Sequence, residues 1–374
     1  TISSSVVTSS VKREDIISNL PGVSSFLMRG IEERGIASPK NLSAVVPGLN
    51  IPDYGTAMTS TIYVRGLGSR MDNPVIGLYV DDVPVLDKNC YDFSFADIRS
   101  LEFQRGPQGT LYGRNSMLGV LSVETLSPSV FQGIRASVEY GSASTVSAKT
   151  SIYKGKLGLV AAYSHSNGFY VNEYDNSRCG LSDAVSLRAV CVGKAGRATY
   201  DNILALSYTD QTGYPYRLWL PDEKRLLPID YNDKSGYKRL TLMDGLRLKA
   251  DLSGWKLSSV TSVQMLFDSM NMDQDFTHES MFTLNQTQKQ FAATQEIILR
   301  PSVSPGWWDS QTGVFLMAKL NRMSAPVDFL EGGIKSLILD NANSGIPADF
   351  GRLDILEDRF RISSDFDIMT GNLA

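Results

Sequence analysis

The sequence is poor in the residue types that most enzyme and metal sites require. Its 374 residues include only 2 His and 3 Cys, and Cys90, Cys179 and Cys191 show no C-x-x-C pairing. His165 and His278 stand apart from each other, and the sequence has no G-x-S-x-G or H-E-x-x-H motif. We therefore expect no catalytic site, no metal centre and no cofactor.

Long apolar runs and an excess of one charge are also absent. The longest apolar stretches, such as 158–163 and 314–318, are far shorter than the ~20 residues of a membrane-spanning helix. Lys and Arg number 36 against 40 Asp and Glu, a net charge of −4, and no basic cluster is long enough for an arm that binds nucleic acid. These absences exclude an α-helical membrane protein and argue against a nucleic-acid partner.

The sequence is instead rich in residues that favour strands and turns. From residue 131 onward, apolar and polar residues alternate with a period of two, which predicts strands with one apolar and one polar face. We count about eleven such segments, near 134–142, 145–153, 157–165, 185–193, 201–209, 244–252, 255–267, 291–300, 311–320, 351–356 and 359–369.

The connections between these segments alternate in length. Short connections lie at 154–156, 193–200, 253–254 and 301–306. Long polar connections lie at 166–184, 210–243, 268–290 and 321–350. Brief turns at one end and long loops at the other are typical of an outer-membrane β-barrel. A soluble β-sandwich has alternating strands too, but it does not explain loops of this length at one end only.

The first part of the chain has a different texture, with short apolar segments and frequent Gly and Pro, as in a small α/β domain. Short helices are predicted at 16–20 and 38–46, and strands at 61–65, 74–83 and 118–125. Asp81 and Asp82 come before Pro84, so we interpret them as a turn rather than as part of a calcium loop.

Three stretches here carry a family resemblance. They are IYVRGLGSR (62–70), GLYVDDVPV (77–85) and DIRSLEFQRGPQGTLYGRN (97–115). They resemble the plug of TonB-dependent outer-membrane receptors, although Leu118 stands where the family usually has the first glycine of a pair. The resemblance implies an α/β plug domain at 1–129 and an antiparallel transmembrane β-barrel from 130. Of the 22 strands implied for a full barrel, about eleven lie in 130–374, so we expect the N-terminal half of the barrel here.

The resemblance also implies how the plug is held. Its motif residues are Arg65, Gly66, Arg105, Gly106, Pro107, Gln108, Gly109, Tyr112, Gly113, Arg114 and Asn115. In the family, plug arginines pair with barrel glutamates, which predicts that Arg65, Arg105 and Arg114 pair with Glu139 or Glu296. The alternative is that these arginines cap turns of the plug or lie in solvent.

Ligand-binding candidates come from loops expected at the outer end of the barrel. They are Arg70, Lys88, Tyr91, Tyr214, Tyr216 and Trp219. The aromatic residues suit the lining of a ligand site, but those near strand ends also suit the girdle at the lipid boundary. The sequence leaves a disulfide between Cys179 and Cys191 undecided. An oxidising compartment permits the bond, but the sequence does not show that the two residues meet.

The resemblance implies a receptor of the bacterial outer membrane that is not an enzyme. It would import a scarce ligand, a ferric siderophore, corrinoid, haem or glycan, by energised displacement of the plug. The expected partners are TonB with its inner-membrane motor, outer-membrane lipid and the small-molecule or oligosaccharide ligand, and we expect a monomer. The alternatives are a passive porin-like channel, which has no plug, and a soluble all-β ligand-binding protein.

Overall fold

A computed structural model describes residues 23–58, 61–68, 74–112, 115–302, 310–347, 349–354 and 359–373. It contains a small mixed sheet followed in the chain by a large antiparallel sheet. This confirms the predicted order of an α/β plug and a barrel-type sheet. Within these ranges, no helix is both long and apolar enough to cross a membrane. The helix predicted at 16–20 lies outside the described residues.

The first part is built on short strands. They are β1 (Val23–Leu27), β2 (Leu49–Asn50), β3 (Tyr63–Val64), β4 (Leu67–Gly68), β5 (Ile76–Val80), β6 (Val83–Val85), β7 (Ile98–Arg105) and β8 (Gly119–Thr125). Helices α1 (Met28–Glu33) and α2 (Gly109–Tyr112) and 3-10 helices at Pro39–Ala44 and Lys88–Tyr91 connect them. The main sheet has the order β1-β7-β8-β5-β6, in which only β5 and β8 run parallel. We call this part the plug.

The plug has a hydrophobic core of its own. All five residues of β5, which lies between β8 and β6 in the sheet, are buried. Leu78, Leu101 and Phe103 are each 1% exposed, and Leu42 of a 3-10 helix packs in the same core. The Tyr91 hydroxyl completes it by donating to the Ile76 carbonyl at 3.0 Å. The plug therefore has a packed core formed by its own residues.

The large sheet, which we call the wall, contains twelve strands. They are β9 (Gly133–Tyr140), β10 (Val146–Lys154), β11 (Leu157–Ser166), β14 (Leu181–Ala195), β15 (Ala198–Thr212), β18 (Gly236–Leu252), β19 (Trp255–Asp273), β20 (Phe282–Pro301), β21 (Thr312–Ser324), β22 (Val327–Leu330), β23 (Arg359–Ile362) and β24 (Asp365–Leu373). Neighbours in the chain pair antiparallel from β9 to β21, and β24 then pairs with β21. At one end, β22 pairs with β20 and β23 with β22.

The longer connections contain small elements. They are the hairpins β12 (Tyr170–Val171) with β13 (Arg178–Cys179) and β16 (Trp219–Leu220) with β17 (Arg225–Leu226), then α3 (Glu331–Gly333), a π-helix (Ile334–Leu339) and α4 (Asp340–Ser344). Tight turns follow β10, β14 and β18, at the end of the wall opposite to these connections. The predicted division into short turns and long loops is confirmed. By the convention of such barrels, the long loops mark the outer end.

The two faces of the wall differ as the period-2 pattern predicts. Leu204, Leu206 and Tyr208 of β15 project to the outside and are 38–44% exposed. Ile203 projects to the opposite face and is 2% exposed. Because successive side chains of a strand point to opposite faces, the apolar rows form a surface for lipid while the plug contacts the other rows.

The last part of the wall departs from the prediction. Residues 351–354 form no strand, and 355–358 lie outside the described residues. The segment 359–369 is two strands, β23 and β24, and β22 was not predicted. The reason is tertiary, since the fully buried carboxylate of Asp328 in β22 accepts hydrogen bonds from Arg359 and Arg361 of β23. A four-residue strand held by such contacts leaves no long alternating pattern.

Candidate functional site

The glycine-rich motif forms a turn of the plug in which Pro107 and Gly109 are exposed and Tyr112 is buried. Gly106 has φ +100°, a conformation that favours glycine, and Gln108 N donates to the Ser116 carbonyl at 2.9 Å. The Tyr112 ring then packs edge-on against Tyr79 at 5.0 Å, and the Tyr79 hydroxyl donates to the Tyr112 carbonyl at 2.7 Å. The described part of the motif therefore shapes the plug itself.

Two of the three plug arginines lie among the described residues. Arg65 is exposed in the tight β3–β4 turn with φ +52°, and its side chain forms no ion pair with a described residue. Its pairing with a barrel glutamate stays a prediction. Arg105 donates from Nη1 to the Pro47 carbonyl at 3.0 Å, a contact within the plug. Its pairing with a barrel glutamate stays a prediction.

The two candidate glutamates differ in burial. Glu139 is exposed on the first wall strand, and no described arginine pairs with it, so its pairing stays a prediction. Glu296 is buried on β20, on the face towards the plug, with electrostatic influence on Tyr79. Gly113, Arg114 and the ligand candidate Arg70 lie outside the described residues. A pairing of Arg114 with Glu296 therefore stays a prediction.

The contacts that do hold the plug have the opposite polarity, with arginines on the wall and carboxylates on the plug. Towards the end with tight turns, the Asp97 carboxylate accepts from Arg135 Nε at 3.2 Å and from the Tyr153 hydroxyl at 3.0 Å. Arg188 of β14 donates to the Asp97 carbonyl at 3.3 Å. One plug aspartate thus binds three wall strands.

A second group of charges lies at the β5–β6 turn. Asp81 and Asp82 both have positive φ, which confirms the predicted turn. The Asp81 carboxylate accepts hydrogen bonds from the Thr125 backbone N–H at 2.9 Å and from the Thr125 hydroxyl at 2.7 Å. These bonds connect the β5–β6 turn to the end of β8. Asp82 pairs with Arg247 of β18 at 3.2 Å, and Arg247 also pairs with Asp201 of β15 at 3.0 Å.

A third group lies nearer the outer end and connects the plug to β19, β20 and β21. Asp87 accepts from Gln288 at 2.9 Å and lies 3.5 Å from the Lys319 ammonium group. Asn89 donates to Asp268 at 3.1 Å. These polar side chains are largely buried, so the contact is specific, yet hydrogen bonds of this kind exchange with water when surfaces separate.

Arg239 of β18 fixes the outer loops of the plug. It is 3% exposed, and its guanidinium group donates to the carbonyls of Ala57, Asn89 and Asp92. Gln211 of β15 supports the same region by accepting from Ala57 N and donating to the Gly55 carbonyl. Neither residue was singled out from the sequence, because each looks like an ordinary polar position of an alternating strand.

An aromatic cluster lies where the plug meets the long loop after β15. The Tyr214 and Tyr216 rings lie 5.4 Å apart, and Tyr216 meets Phe276 edge-on at 5.3 Å. Gly55 of the plug, with φ +74°, lies so close to Pro215 that a Cβ there would be 2.3 Å from the proline ring. The loop is therefore seated on the plug.

Two tyrosine candidates are structural. Tyr214 is 1% exposed and Tyr91 is 3% exposed. Burial raises the pKa of each, and the Tyr91 hydroxyl is occupied by Ile76 O and Leu78 N. Burial argues against their assignment to ligand binding, which stays a prediction, because the aromatic residues that suit a binding site also suit a packed core.

Other aromatic residues remain accessible in the outer loops. Tyr216 keeps partial exposure, and burial, with a smaller effect of Asp53, raises its pKa. Trp219 is 49% exposed in the β16–β17 hairpin, and the Arg217 guanidinium lies 5.9 Å from the centre of the Tyr170 ring. Tyr170 was missed, although its loop, G-F-Y-V-N-E-Y at 168–174, has an aromatic excess for a polar loop. Lys88, Tyr216 and Trp219 stay predicted ligand residues.

The cysteines do not pair. All three are free thiols, so the disulfide between Cys179 and Cys191 is not formed. Cys179 is buried in the β12–β13 hairpin near the Tyr231 hydroxyl, whereas Cys191 lies in the second half of the fifteen-residue strand β14. At ~3.3 Å per strand residue, their Cα atoms are far beyond the ~7 Å limit for a disulfide.

Comparison with known families gives a match for the plug. Residues 17–120 match the family model described as "TonB-dependent Receptor Plug Domain". The Pesticin receptor of Yersinia pestis is 37% identical over 129 residues, which cover 33% of this chain and 19% of that receptor. The Pesticin receptor of Yersinia enterocolitica is 41% identical over 100 residues, 26% of this chain and 15% of the relative. The matched region is thus a small part of these relatives.

Solved structures match both parts of the fold. The ferric yersiniabactin uptake receptor FyuA from Yersinia pestis gives a TM-score of 0.69 at 19% identity, over 94% of this chain and 61% of that chain. The pyoverdine outer membrane receptor FpvA from Pseudomonas aeruginosa PAO1 gives 0.62 at 12% identity, over 82% and 47%. At these identities the likeness concerns the fold, and the chain spans less than two thirds of either structure.

Proposed function

We propose that this chain, whose residues 17–120 match the TonB-dependent receptor plug family, forms the plug and the N-terminal half of the barrel of a receptor that imports a ferric siderophore. The single observation that carries the proposal is a separately packed plug, with the family's plug sequence, in contact with one face of the wall. We propose the division between the two at residues 129 and 130.

The contacts of the plug support a mechanism of displacement. Its core is apolar and internal, while its contacts with the wall include many hydrogen bonds and ion pairs. Pulling on such a domain breaks polar contacts that water replaces, and it also separates small apolar contacts such as that of Val83 with Val260 and Ile298. We propose that TonB, driven by its inner-membrane motor, supplies the pull.

The outer end supplies the ligand site in this proposal. Tyr170, Tyr216 and Trp219 offer aromatic faces, and Arg217 and Lys88 offer positive charge towards an anionic iron complex. The siderophore class is suggested by the relatives, among which the FyuA and FpvA structures are named for ferric yersiniabactin and pyoverdine. Corrinoid, haem or glycan cargo is the alternative that the experiment addresses.

The test is uptake by cells that carry the full-length receptor and no other siderophore receptor. We expect a radiolabelled ferric siderophore to bind and enter, and deletion of TonB to abolish entry while binding persists. Uptake without TonB would support the passive channel instead. Recovery of the folded protein from the soluble periplasm, without detergent, would contradict the outer-membrane assignment of this chain.

A further inference from the structure

A cavity of about 160 Å³ lies between the plug and the wall strands β11, β14, β15, β18 and β19. The plug side includes Val80, Phe93 and the thiol of Cys90, and the wall side includes Ala205. Small side chains on the wall leave the space open. The cavity lies below the exposed aromatic residues of the outer loops, and the import mechanism assigns it no role.

Two positively charged side chains line this cavity without a carboxylate partner. Arg239 donates only to the carbonyl groups described above, and Arg188 donates to the Asp97 carbonyl. Among the described residues, neither guanidinium forms an ion pair. By contrast, Arg247, eight residues along β18 from Arg239 and outside the cavity, pairs with two aspartates.

The carboxylates closest to Arg239 are engaged elsewhere. Asp92, which influences Arg239 electrostatically, pairs with Lys40 at 3.2 Å. Asp268 accepts from the Tyr237 hydroxyl and from Asn89, each at 3.1 Å. Arg239 therefore lies near the charges of Asp92 and Asp268 without a direct ion pair, and a buried guanidinium group with an unpaired donor is costly unless an acceptor accompanies it.

Buried polar atoms without a partner point to the same space. Nε of Arg239 and Nε of Arg188 are buried donors without an acceptor among the described residues, and both side chains line the cavity. Gln290 lines it too, and its unpartnered Oε1, an acceptor, needs a donor such as water rather than an anion. Arg239 and Gln290 are 3% and 4% exposed. Native proteins satisfy such groups with water or a ligand.

The rest of the lining selects the class of ligand. Val80, Val85, Phe93, Ile203 and Met243 give the cavity a largely apolar surface. A strongly hydrated inorganic ion gains nothing from such a lining, whereas an anion with an apolar body fills it. A cavity of roughly 150 Å³ accommodates benzene, so about ten non-hydrogen atoms fit here.

We propose that this cavity is a binding site for a small organic carboxylate with an apolar body, whose charge is held by Arg239 while Arg188 supplies a second positive charge. The site is too small for a ferric siderophore, so it is separate from the cargo site. The proposal does not depend on the import function, because it concerns the resting contact between plug and wall.

The test uses the full-length receptor in detergent, in chloride-free buffer, with benzoate as the probe and uncharged benzamide of the same shape as its control. Calorimetric titration is expected to give at least ~10-fold tighter binding of benzoate, and Arg239→Gln is expected to abolish that preference. Because Arg239 also fixes plug loops, Ala205→Leu provides a second variant, which fills the cavity and keeps both arginines. It should weaken both probes at least ~10-fold.

Arg322→Gln is the control, since it removes the same charge from an exposed pair with Asp367 within the wall, outside the cavity and away from the plug. It should leave the preference for benzoate unchanged. Equal binding of benzoate and benzamide by the wild-type protein, or no binding of either, means that water alone occupies the cavity and overturns the proposal. Unchanged binding by Ala205→Leu, or an equal loss in Arg322→Gln, also overturns it.

Discussion

The interior of the plug and its contact with the wall are built from different interactions. Inside, Leu78, Leu101 and Phe103 pack with almost no exposure. At the contact, Asp82 and Asp97 meet arginines, and several buried polar atoms have no partner. Apolar packing makes the plug one cooperative unit, while polar contacts set where it rests. A domain that must move as a whole needs this division.

The first prediction uses Cys90, which lies between plug and wall. Burial raises the pKa of this thiol to about 12. With an ordinary value of 9.0, its thiolate fraction at pH 8 falls roughly a thousandfold. Allowing for the stronger nucleophilicity of a high-pKa thiolate, alkylation should be at least ~30-fold slower than in the unfolded chain.

Mass spectrometry after iodoacetamide treatment at pH 8 measures this difference, with the urea-unfolded protein as control. Labelling should accelerate under any condition that withdraws the plug, because water then reaches the thiol. Equal labelling of native and unfolded protein would show that the plug–wall contact is open at rest.

The second prediction concerns the plug interior. Leu101→Ala removes a buried side chain from β7 and should lower the free energy of unfolding of the plug by about 2–5 kcal/mol. Amide exchange in β5, β7 and β8 measures the loss. Leu204→Ala, on the outer face of β15 where the side chain is 44% exposed, should leave this exchange unchanged. A comparable effect of both changes would contradict an autonomous plug core.

The third prediction concerns the plug–wall contact. Arg247→Ala leaves Asp82 and Asp201 without their partner and should weaken the seating of the plug by about 1.5–3 kcal/mol. The weaker seating should be measurable as a greater passive permeability to small solutes of liposomes that contain the receptor. Arg322→Ala, which breaks an exposed pair with Asp367 within the wall, is the control and should have no effect.

A double-mutant cycle with Asp82→Asn separates the pair from its surroundings. If the pair carries the effect, the double variant should lose clearly less than the sum of the two single losses. Additive losses would assign the seating to the other polar contacts.

The smallest effect is expected for Tyr91→Phe. The change removes a hydroxyl that donates to Ile76 O and accepts from Leu78 N, and should cost the plug about 1 kcal/mol. Siderophore affinity should stay the same, because Tyr91 is buried. Tyr216→Ala should instead lower affinity without changing plug exchange. A loss of siderophore affinity in Tyr91→Phe would instead support a role for Tyr91 in ligand binding.

Much of the fold was predictable because it depends on local patterns. Alternation located nine wall strands, from β9 to β21, although β18, β19 and β20 extend six to nine residues beyond the predicted segments into stretches predicted as loops. Loop lengths oriented the wall. Plug motifs identified the plug family that residues 17–120 match. The end of the chain was less predictable, since β22 and β23 are short and depend on a buried Asp328 with two arginines. Such a contact leaves no periodic signal.

The candidate site shows the same limit. The sequence identified arginines and tyrosines as chemically important types, but it did not single out the plug carboxylates and wall arginines that form the described ion pairs. Asp82, Asp97 and Arg239 acquire their roles from which faces meet. Residues 82 and 247, or 97 and 135, are distant in the chain, so spacing gives no information about their contact.

The sequence by itself determined the order of domains, the two-faced strands and the one-sided loops, because propensity and period act within a few residues. Only the tertiary structure decided that wall arginines hold plug carboxylates, that Tyr91 and Tyr214 are packed rather than exposed, and that Arg239 and Arg188 border a cavity. Burial and charge pairing depend on surfaces brought together by the closed contact of plug and wall. That contact depends on all the strands at once, and no local stretch of sequence contains it.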